Sequence, residues 1–372
     1  MKILQLSSAR TYGGGERHLA DLSNALSARG HDVYAALSPA SPLPAKLARL
    51  PASHVVTLPL RNALDLTSAV RLARFIREHR VEIVHAHLAR DYPLAAYAAR
   101  RAGGVPFILT RHVPFPMSGL HKFTLTNVAR VIAVSEGVAR GLRARRIFPD
   151  EKIRVIPNGI SVSGIDDALG NFDRAASRLK FSADAPLLVG TVGELSPVKG
   201  QEEFVRAAAT IIRRESFTGA QFLIIGDDNS PGAETRARLE ELIAKHELQA
   251  HVQLLGHVTE LTPLLGSLDL YVSASRAEAF GLATLEALMC GVATVATATD
   301  GAREMIDDGV TGRLVPAGDS DALARAMLQL LRDGDERARI GERAREDSRA
   351  RFSLERMVEA TEKVYREALA AV

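Results

Sequence analysis

The sequence is poor in residues that crosslink a chain or anchor a small core. Its 372 residues include one cysteine, Cys290, no tryptophan, and only 5% aromatic side chains. A single cysteine cannot form an internal disulfide, so we expect Cys290 to pack as a small apolar residue. The scarcity of cysteine is typical of a reducing compartment, and we predict a cytoplasmic location, with peripheral attachment to the inner face of the membrane as an option.

Long apolar runs are also missing from the sequence. No segment approaches the about 20 residues of a membrane-spanning helix. The first ten residues hold too short an apolar stretch for a signal peptide and predict a strand instead. With 47% hydrophobic and 24% charged residues and no low-complexity run, the chain is predicted to be globular, and its length favours two domains.

The net charge is small, but its distribution along the chain is uneven. Residues 1–180 hold 26 Lys and Arg against 13 Asp and Glu, and the remainder holds 21 against 31. This asymmetry indicates that the front half meets an anionic ligand or membrane surface, with attraction between the two halves as the alternative. Nucleic acid is not expected, because the basic groups lack interleaved aromatics. Those basic groups are Arg71, Arg74 and Arg77, and Arg140, Arg143, Arg145 and Arg146.

Apolar strands alternate with amphipathic helices along the whole chain, which predicts an α/β fold with parallel sheets covered on both faces. We expect a front domain at 1–165, a linker at 166–184, a rear domain at 185–352, and a C-terminal helix at 353–372 that packs back on the front domain. Predicted strands are 3–7, 33–37, 83–87, 107–110, 131–134, 187–192, 221–225, 252–255, 268–273, 292–296 and 313–315.

The segment 278–286, Glu-Ala-Phe-Gly-Leu-Ala-Thr-Leu-Glu, is the most informative stretch. It follows a predicted buried strand, so Glu278 should lie in a loop at the strand's carboxyl end, where open α/β sheets bind ligands. A helix opening near Gly281 would present unpaired N–H groups and a positive dipole end to a phosphate. Glu286, one turn further, could accept hydrogen bonds from ligand hydroxyls. Two acidic residues on a solvated helix would be the functionally neutral interpretation.

Two further loops join a strand to a helix. The loop at 193–200, Gly-Glu-Leu-Ser-Pro-Val-Lys-Gly, places Lys199 near a helix start and suits a diphosphate. In the front half, 11–16 reads Thr-Tyr-Gly-Gly-Gly-Glu, and its glycines allow close approach of backbone to a ligand, although a flexible turn explains them as well. The spacing is not the dinucleotide fingerprint, so a NAD-type site is not expected.

These residues together resemble the retaining glycosyltransferases of family 4, and the resemblance covers nearly the whole chain. It implies the GT-B architecture: two Rossmann-like domains with parallel sheets and a cleft between them, the front one binding acceptor and the rear one binding a nucleotide-sugar donor. The stretches that carry it are 13–16, His112, the triplet Pro157-Asn158-Gly159, the pair Lys199-Gly200, Gly226, 255–258 and 278–286.

The resemblance also implies roles for individual residues. His112, Lys199 and Glu278 would be catalytic: Lys199 would hold the donor diphosphate, Glu278 would orient the transferred sugar, and His112 would reach that sugar. Glu286 would hold the ribose hydroxyls. The remaining donor-binding residues would be Gly14 and Gly15 at the phosphates or acceptor, backbone near Phe280, Gly281 and Leu282 at phosphate or sugar, backbone around Val258 at the base, and Gly226 after its strand.

The implied reaction moves a sugar, with retention of configuration, from a UDP-sugar or GDP-mannose to a lipid-linked or saccharide acceptor in cell-envelope glycan synthesis, such as that of lipopolysaccharide. No cofactor or metal is expected. His85 and His87 could mimic a metal pair but have no evident carboxylate partner, so we interpret them as structural. The Asp319-Ser-Asp321 and Asp333-Gly-Asp335 pairs are predicted to cap helices. A sugar-nucleotide epimerase of the same architecture and a noncatalytic nucleotide-sugar-binding protein are the alternatives.

The sequence departs from the family pattern at Glu194, where an arginine is common. A carboxylate beside a leaving diphosphate would repel it, so either Glu194 points away or another cation compensates. Candidates for that cation are Arg17, Arg111 and Arg276. Peptide 111–123 mixes apolar residues with cations, which suits a lipid-linked or anionic acceptor, although ordinary packing explains it equally well.

Overall fold

The computed structural model describes residues 1–170, 172–181 and 187–371. The chain forms two compact units: unit 1 comprises Met1–Gly159 and Leu354–Val372, and unit 2 comprises Ile160–Ser353. Each unit has its own parallel sheet. The final segment of the chain therefore belongs to the same unit as the first.

Unit 1 is built on a seven-stranded sheet with strand order β3-β2-β1-β4-β5-β6-β7, and the described pairings are all parallel. Its strands are β1 (Lys2–Ser7), β2 (Asp32–Leu37), β3 (Val55–Thr57), β4 (Ile83–Ala86), β5 (Phe107–Arg111), β6 (Val128–Ala133) and β7 (Ile153–Val155). Its helices before the chain leaves the unit are α1 (Gly14–Ala28), α2 (Leu66–Glu78), α3 (Tyr92–Arg101), α4 (His121–Thr124) and α5 (Glu136–Arg145).

Unit 2 contains a six-stranded sheet with order β10-β9-β8-β11-β12-β13, again with parallel pairings. Its strands are β8 (Leu187–Val192), β9 (Ala220–Ile225), β10 (Val252–Leu255), β11 (Leu270–Ser273), β12 (Thr294–Thr297) and β13 (Arg313–Val315). Its helices are α6 (Val162–Gly170), α7 (Arg174–Leu179), α8 (Gln201–Ala209), α9 (Glu234–Lys245), α10 (Leu261–Ser267), α11 (Leu282–Met289), α12 (Asp300–Met305), α13 (Ser320–Arg332) and α14 (Gly334–Arg351).

The sheets are buried because helices cover both faces, which explains the near-continuous apolar character of the strands. The last helix, α15 (Leu354–Leu369), packs in unit 1 against α1, and its Met357, Val358 and Tyr365 are part of the same core as Ile3 and Leu19. A shared core of this kind holds the end of the chain to the first strand and helix.

Each sheet has a point where the strand order changes direction, between β1 and β4 in unit 1 and between β8 and β11 in unit 2. Loops that leave these adjacent strands diverge to opposite faces and open a crevice at the carboxyl ends of the strands. The segments that follow β1 and β4, and those that follow β8 and β11, are therefore the positions where each unit can bind a ligand.

The division of the chain differs from the expected one. The boundary falls at 159 and 160 rather than at 165, and residues expected to form a linker at 166–184 include most of α6 and all of α7, which belong to unit 2. Arg174 and Arg178 bind the Asp269 carboxylate at 2.8 and 2.7 Å, and Leu169 and Phe172 pack against Gly266, so both ion pairs and apolar contacts hold this segment to unit 2. Residues 171 and 182–184 lie outside the described part.

The predicted architecture of two Rossmann-like domains is confirmed, and each of the eleven predicted strands overlaps an observed one. The strands that the sequence did not predict, β3 and β7, have three residues each and lie at the two edges of the sheet of unit 1, where a short apolar run gives little signal. Asp319 and Asp333 accept hydrogen bonds from the backbone N–H of Ala322 and Glu336, as expected of N-caps. Among the described residues, no helix is both long and apolar enough to cross a membrane.

Candidate functional site

Lys199 ends a 3₁₀ turn, Pro197–Lys199, between β8 and α8. The next residue, Gly200, has φ +67°, and a Cβ there would lie 2.0 Å from the carbonyl oxygen of Ala274, just beyond β11. Only glycine fits this contact. The glycine thus presses the loop after β8 against the end of β11 and places Lys199 beside the segment that contains Glu278.

The two residues predicted to be catalytic in the rear domain form an ion pair. The distance between Lys199 Nζ and Glu278 Oε2 is 2.5 Å, and the side chains keep 30% and 21% of their surface exposed. Ser275 Oγ lies 3.4 Å from the same carboxylate oxygen. An ammonium and a carboxylate that both reach solvent can exchange this contact for a ligand's phosphate and hydroxyl groups at moderate cost.

The N-terminus of α11 lies beside this pair. Gly281 occupies the N-cap with φ +103°, and no side chain caps the helix. A Cβ on Gly281 would lie 3.3 Å from Glu278 Cγ, so the absence of a side chain keeps the carboxylate and the first helical turn close together. The N–H groups of that turn, beginning at Leu282, point out of the helix and suit an anion.

Phe280, predicted to bind donor through its backbone, has a structural side chain. It is 2% exposed, and its ring centroid lies 5.6 Å from that of Phe352. Gly301 packs against its backbone so closely that a Cβ would lie 2.3 Å from the Phe280 carbonyl oxygen, while the N–H of Gly301 donates to the carbonyl of Glu278 at 3.3 Å. These contacts with Phe352 and Gly301 fix the position of the loop 278–281.

Glu286 is 2% exposed and lies one turn into α11. Its Oε1 accepts a hydrogen bond from Thr262 Oγ1 at 2.5 Å. Burial raises the pKa of the neighbouring Tyr271, with the charges of Glu278 and Glu286 acting in the same direction. Burial likewise raises the pKa of the Cys290 thiol to about 12, with a further contribution from Glu286, so Cys290 is a neutral, mostly buried side chain.

The two remaining predicted donor residues lie at the ends of β9 and β10. Gly226 has φ +145°, and a Cβ there would lie 2.0 Å from the carbonyl oxygen of Gly193, so this close approach of two strand ends requires glycine. Its N–H donates to Leu255 at 3.3 Å. Val258 is partly buried against the apolar cluster that includes Leu264 and Leu265. This placement leaves the backbone around 256–258 at the carboxyl edge of the sheet.

Glu194 is exposed, and its carboxylate accepts a hydrogen bond from the Asn229 amide at 3.1 Å. The candidate compensating cations have partners of their own. Arg276 pairs with Glu203, whereas in unit 1 Arg17 lies 3.7 Å from Asp21 and Arg111 donates to the Phe115 carbonyl at 2.5 Å. Lys199, in the turn just before α8, therefore stays the candidate cation of unit 2.

In unit 1, Gly14 and Gly15 open the first turn of α1, after the loop 8–13 that follows β1. The N-cap residue Gly13 donates its N–H to the Glu16 carboxylate at 3.1 Å. A Cβ on Gly15 would lie 3.5 Å from the ring of His112, so the glycine turn and the predicted catalytic histidine are in contact. The structure thereby brings together these three predicted residues at the carboxyl edge of the sheet.

His112 belongs to a group of four imidazoles that we call the histidine cluster: His18, His85, His87 and His112. The His87 and His112 rings are joined by a 3.2 Å hydrogen bond between Nδ1 and Nε2, and the His18 ring centroid lies 4.7 Å from that of His112. Nitrogens of His18, His87 and His112 all lie within 4.8 Å of one another, the spacing of a three-histidine metal site. Sequence reasoning missed His18, although its position three residues after Gly15 on α1 turns it toward the same edge.

The imidazoles of the cluster are neutral near neutral pH. Burial lowers the pKa of His18 to about 4, and burial with mutual repulsion lowers the pKa values of His85, His87 and His112 well below the ordinary value. The cluster can therefore donate and accept hydrogen bonds but does not supply positive charge.

The fold is that of the GT-B glycosyltransferases, and comparison with known proteins agrees. Residues 12–163 match the family model Glycosyltransferase Family 4, and residues 174–347 match the model Glycosyl transferases group 1. The chain belongs to this glycosyltransferase family. The first model covers most of unit 1 and the second covers most of unit 2, so the family membership rests on both units.

Among curated relatives, the N-acetyl-alpha-D-glucosaminyl L-malate synthase of Bacillus anthracis is 28% identical, over 94% of this chain and 92% of that protein. The phosphatidyl-myo-inositol mannosyltransferase of Mycobacterium leprae is 29% identical, over 86% of this chain and 84% of that protein. Among solved structures, Anabaena HepE in complex with UDP and glucose superposes with a TM-score of 0.84 at 22% identity, over 98% of this chain and 99% of that one. A glycosyltransferase from Rickettsia africae superposes with a TM-score of 0.85 at 23% identity, over 100% of this chain and 99% of that one.

Proposed function

We propose that the protein transfers a sugar, with retention of configuration, from a UDP-sugar to an anionic acceptor in glycan synthesis. The observation that carries this proposal is the assembly of Lys199, Glu278 and the uncapped N-terminus of α11 at the switch point of unit 2. HepE, which shares the fold, was solved with UDP and glucose, which favours a uridine donor, and GDP-mannose is the second choice.

The donor's diphosphate replaces Glu278 as the partner of Lys199. Its second charge is met by the N–H groups of the first turn of α11, and charge that develops on the leaving group strengthens both contacts. Glu278, released from the ammonium, accepts hydrogen bonds from sugar hydroxyls, and Glu286 accepts those of the ribose. His112 contacts the transferred sugar. The acceptor hydroxyl bonds to the anomeric carbon from the face that the diphosphate vacates, the bond from that carbon to the phosphate oxygen breaks, and the hydroxyl proton passes to the departing phosphate oxygen.

We also propose that the reaction needs no metal ion. The ammonium of Lys199 and the dipole of α11 supply the positive charge that a cation would otherwise provide. Full activity after dialysis against EDTA supports this assignment, and recovery only on addition of Mg²⁺ or Mn²⁺ contradicts it.

The acceptor is proposed to be an anionic small molecule or lipid. The names of the relatives indicate acceptors of this class: L-malate in one and phosphatidyl-myo-inositol in another, with D-inositol 3-phosphate in further relatives. Unit 1, which we assign to the acceptor, carries 26 Lys and Arg against 14 Asp and Glu. Such a surplus of positive charge raises the local concentration of anionic acceptors.

A surface of unit 1 supports a lipid-linked acceptor and peripheral membrane attachment. Leu120 and Phe123 are 73% and 76% exposed around the short helix α4. Lys122 lies between them, and the exposed Arg143 and Arg146 line a nearby cavity. Apolar side chains ringed by cations are typical of proteins that dock on anionic bilayers.

The donor is identified by incubating the protein with individual nucleotide sugars and following their slow hydrolysis. UDP released from one UDP-sugar, with the anomeric configuration retained in the sugar product, is the expected result. An epimerised nucleotide sugar would make the protein an epimerase. Binding without hydrolysis or transfer with any acceptor would make it a noncatalytic binding protein. Either outcome overturns the proposed function.

Attachment to membranes is tested by cosedimentation with vesicles. Binding to phosphatidylglycerol vesicles that weakens as salt rises, with little binding to phosphatidylcholine vesicles, is expected. The double substitution Leu120→Ser and Phe123→Ser should reduce it. Leu179→Ser, which changes an equally exposed leucine of unit 2, is the matched control and should leave binding unchanged. Equal recovery with both vesicle types contradicts the proposal.

A further inference from the structure

A continuous chain of buried hydrogen bonds runs through unit 1 and ends at His112. His112 Nε2 lies 3.2 Å from His87 Nδ1, and His87 Nε2 lies 2.8 Å from Gln5 Oε1. Gln5 Nε2 donates to the hydroxyl of Tyr365 at 3.3 Å, and that hydroxyl lies 2.7 Å from His85 Nδ1. The chain thus connects strand β1, strand β4 and the C-terminal helix α15.

These groups are costly to bury unless they are paired. Gln5, His85 and Tyr365 are 0% exposed, and His87 is 3% exposed. An unpaired buried amide or hydroxyl is strongly unfavourable, and a phenylalanine at position 365 would fill the same space without a polar group to pair. A fully paired polar network in a core fixes a single arrangement of its members. The network therefore has a use beyond packing.

The direction of the hydrogen bonds is determined from Gln5. Its Oε1 can only accept, so His87 Nε2 carries the proton and His87 Nδ1 has the lone pair. That lone pair accepts from His112, which places the His112 proton on Nε2. In this orientation the Gln5 NH₂ group donates to the Tyr365 hydroxyl, and that hydroxyl can donate in turn to His85 Nδ1.

We propose that Tyr365 is a positioning residue: through Gln5 and His87 it holds His112 in the Nε2–H tautomer, so that His112 Nδ1 serves as the acceptor for a substrate hydroxyl. The inference rests on the proposed contact of His112 with the transferred sugar. A residue of the C-terminal helix α15 would thus fix the tautomer of His112, which follows β5.

A metal ion is the competing occupant of the cluster. Nitrogens of His18, His87 and His112 are close enough for shared coordination, but a cation would need lone pairs on both His87 Nδ1 and His112 Nε2. The 3.2 Å hydrogen bond between those two atoms uses one lone pair and one proton instead. The relay keeps a proton between these nitrogens, whereas a cation requires both to be deprotonated, so the metal content of the purified protein distinguishes the two arrangements.

The test combines imidazole ¹⁵N NMR with kinetics on the full-length protein. The spectrum of ¹⁵N-histidine-labelled protein reports the tautomer of each ring, and a His112→Gln sample assigns the His112 signals. Tyr365→Phe removes the hydroxyl and keeps the buried ring. Tyr34→Phe removes a hydroxyl that donates to Asp32 at 3.0 Å in the same unit, outside the relay, and is the matched control.

Wild-type His112 is expected in the Nε2–H form. In Tyr365→Phe both His112 nitrogens should shift toward averaged values, and kcat should fall about three- to tenfold with the donor KM unchanged. Tyr34→Phe should change neither. A purely structural role of the hydroxyl would lower the melting temperature without moving the tautomer signals.

The proposal is overturned by an Nδ1–H tautomer in the wild type, by an unchanged His112 spectrum in Tyr365→Phe, or by a tautomer shift that leaves kcat unaltered. It is also overturned if the purified protein retains one metal ion per chain that His18→Asn abolishes. A wild type that transfers no sugar contradicts the proposed function instead, and in that case the spectrum still decides whether the relay fixes the tautomer.

Discussion

Near the switch point of unit 1 lie four neutral imidazoles, together with Asp91 and Arg90, which both bond to Ser8. At the switch point of unit 2 lie an ammonium, two carboxylates and a helix N-terminus. The charge balance of the units runs the opposite way: unit 1 carries 26 basic against 14 acidic residues, and unit 2 carries 21 against 30. The unit that we assign to the anionic donor is thus the acidic one. An anion is bound by local geometry, here Lys199 and α11, while net charge acts at longer range on what approaches.

The largest effect of a single substitution is expected at Lys199, which distinguishes the switch point of unit 2 from that of unit 1. Lys199→Ala should lower kcat by about 100-fold or more, because it removes a charge that meets the developing leaving group in a partly dry site. Loss of a single exposed arginine of unit 1, such as Arg71→Ala, should change kcat less than about threefold. Initial rates with saturating donor measure both variants, and Lys245→Ala, on the exposed face of α9, is the control for a lost lysine in unit 2. Comparable losses in Lys199→Ala and Lys245→Ala would remove the distinction between the sites.

The buried histidines predict that unit 1 is the acid-sensitive one. His18 has an ordinary pKa near 6.5 when unfolded and a pKa of about 4 when folded. Between these values the unfolded chain binds a proton that the folded unit does not, so stability is full above pH 6.5 and falls as the pH drops. His18 alone should cost about 3 kcal/mol by pH 4.

Hydrogen exchange read by peptide at pH 7, 5.5 and 4 measures this effect in each unit separately. Peptides of β4 and α15 should lose protection before those of β9 and α13. His18→Asn should lessen the pH dependence, while His257→Asn, at an exposed position in unit 2, should not. Earlier loss of protection in unit 2 would contradict the assignment of neutral histidines to unit 1.

A substitution of Glu286 should affect donor binding more than the chemical step. Glu286→Gln keeps the shape of a side chain that is 2% exposed but removes the charge that would accept from ribose hydroxyls. A hydrogen bond to a charged group is worth about 1.5–3 kcal/mol, so the donor KM should rise about tenfold or more with a smaller change in kcat. Thr262→Val removes the neighbour that donates to Glu286 and serves as the control. An unchanged KM in Glu286→Gln would exclude the ribose contact.

The smallest effect is expected at Glu194. Since its carboxylate is exposed and held by Asn229, Glu194→Gln should change donor affinity by less than about threefold. Glu194→Arg should raise the affinity for UDP modestly. A large gain in kcat for Glu194→Gln would show that the carboxylate opposes the diphosphate and that Lys199 alone does not define the site.

Much of the fold could be predicted from sequence because buried parallel strands, such as 187–192 and 221–225, are apolar along their whole length and are followed by loops rich in glycine. The same regularity placed Lys199, Glu278 and Gly281 at strand ends. The expected linker was wrong in character, because α7 is held to unit 2 through arginines on Asp269, a contact without a local apolar signal.

The histidine cluster was only partly visible in the sequence. His112 was singled out, but Gln5, His87 and Tyr365 come together from positions up to 360 residues apart, and no local pattern announces such a contact. His85 and His87 were interpreted as structural, and the structure shows their hydrogen-bond partners. The pairing of Lys199 with Glu278 was also invisible, because it depends on the close approach of Gly200 to Ala274.

The central claim, that unit 2 grips a diphosphate through Lys199 and the start of α11, is tested most directly by calorimetry with UDP and uridine. We predict that UDP binds the wild type far more tightly than uridine does. Lys199→Ala should remove most of that difference while leaving uridine binding unchanged. Equal affinities of UDP and uridine for the wild type, or undiminished preference for UDP in Lys199→Ala, would contradict the account.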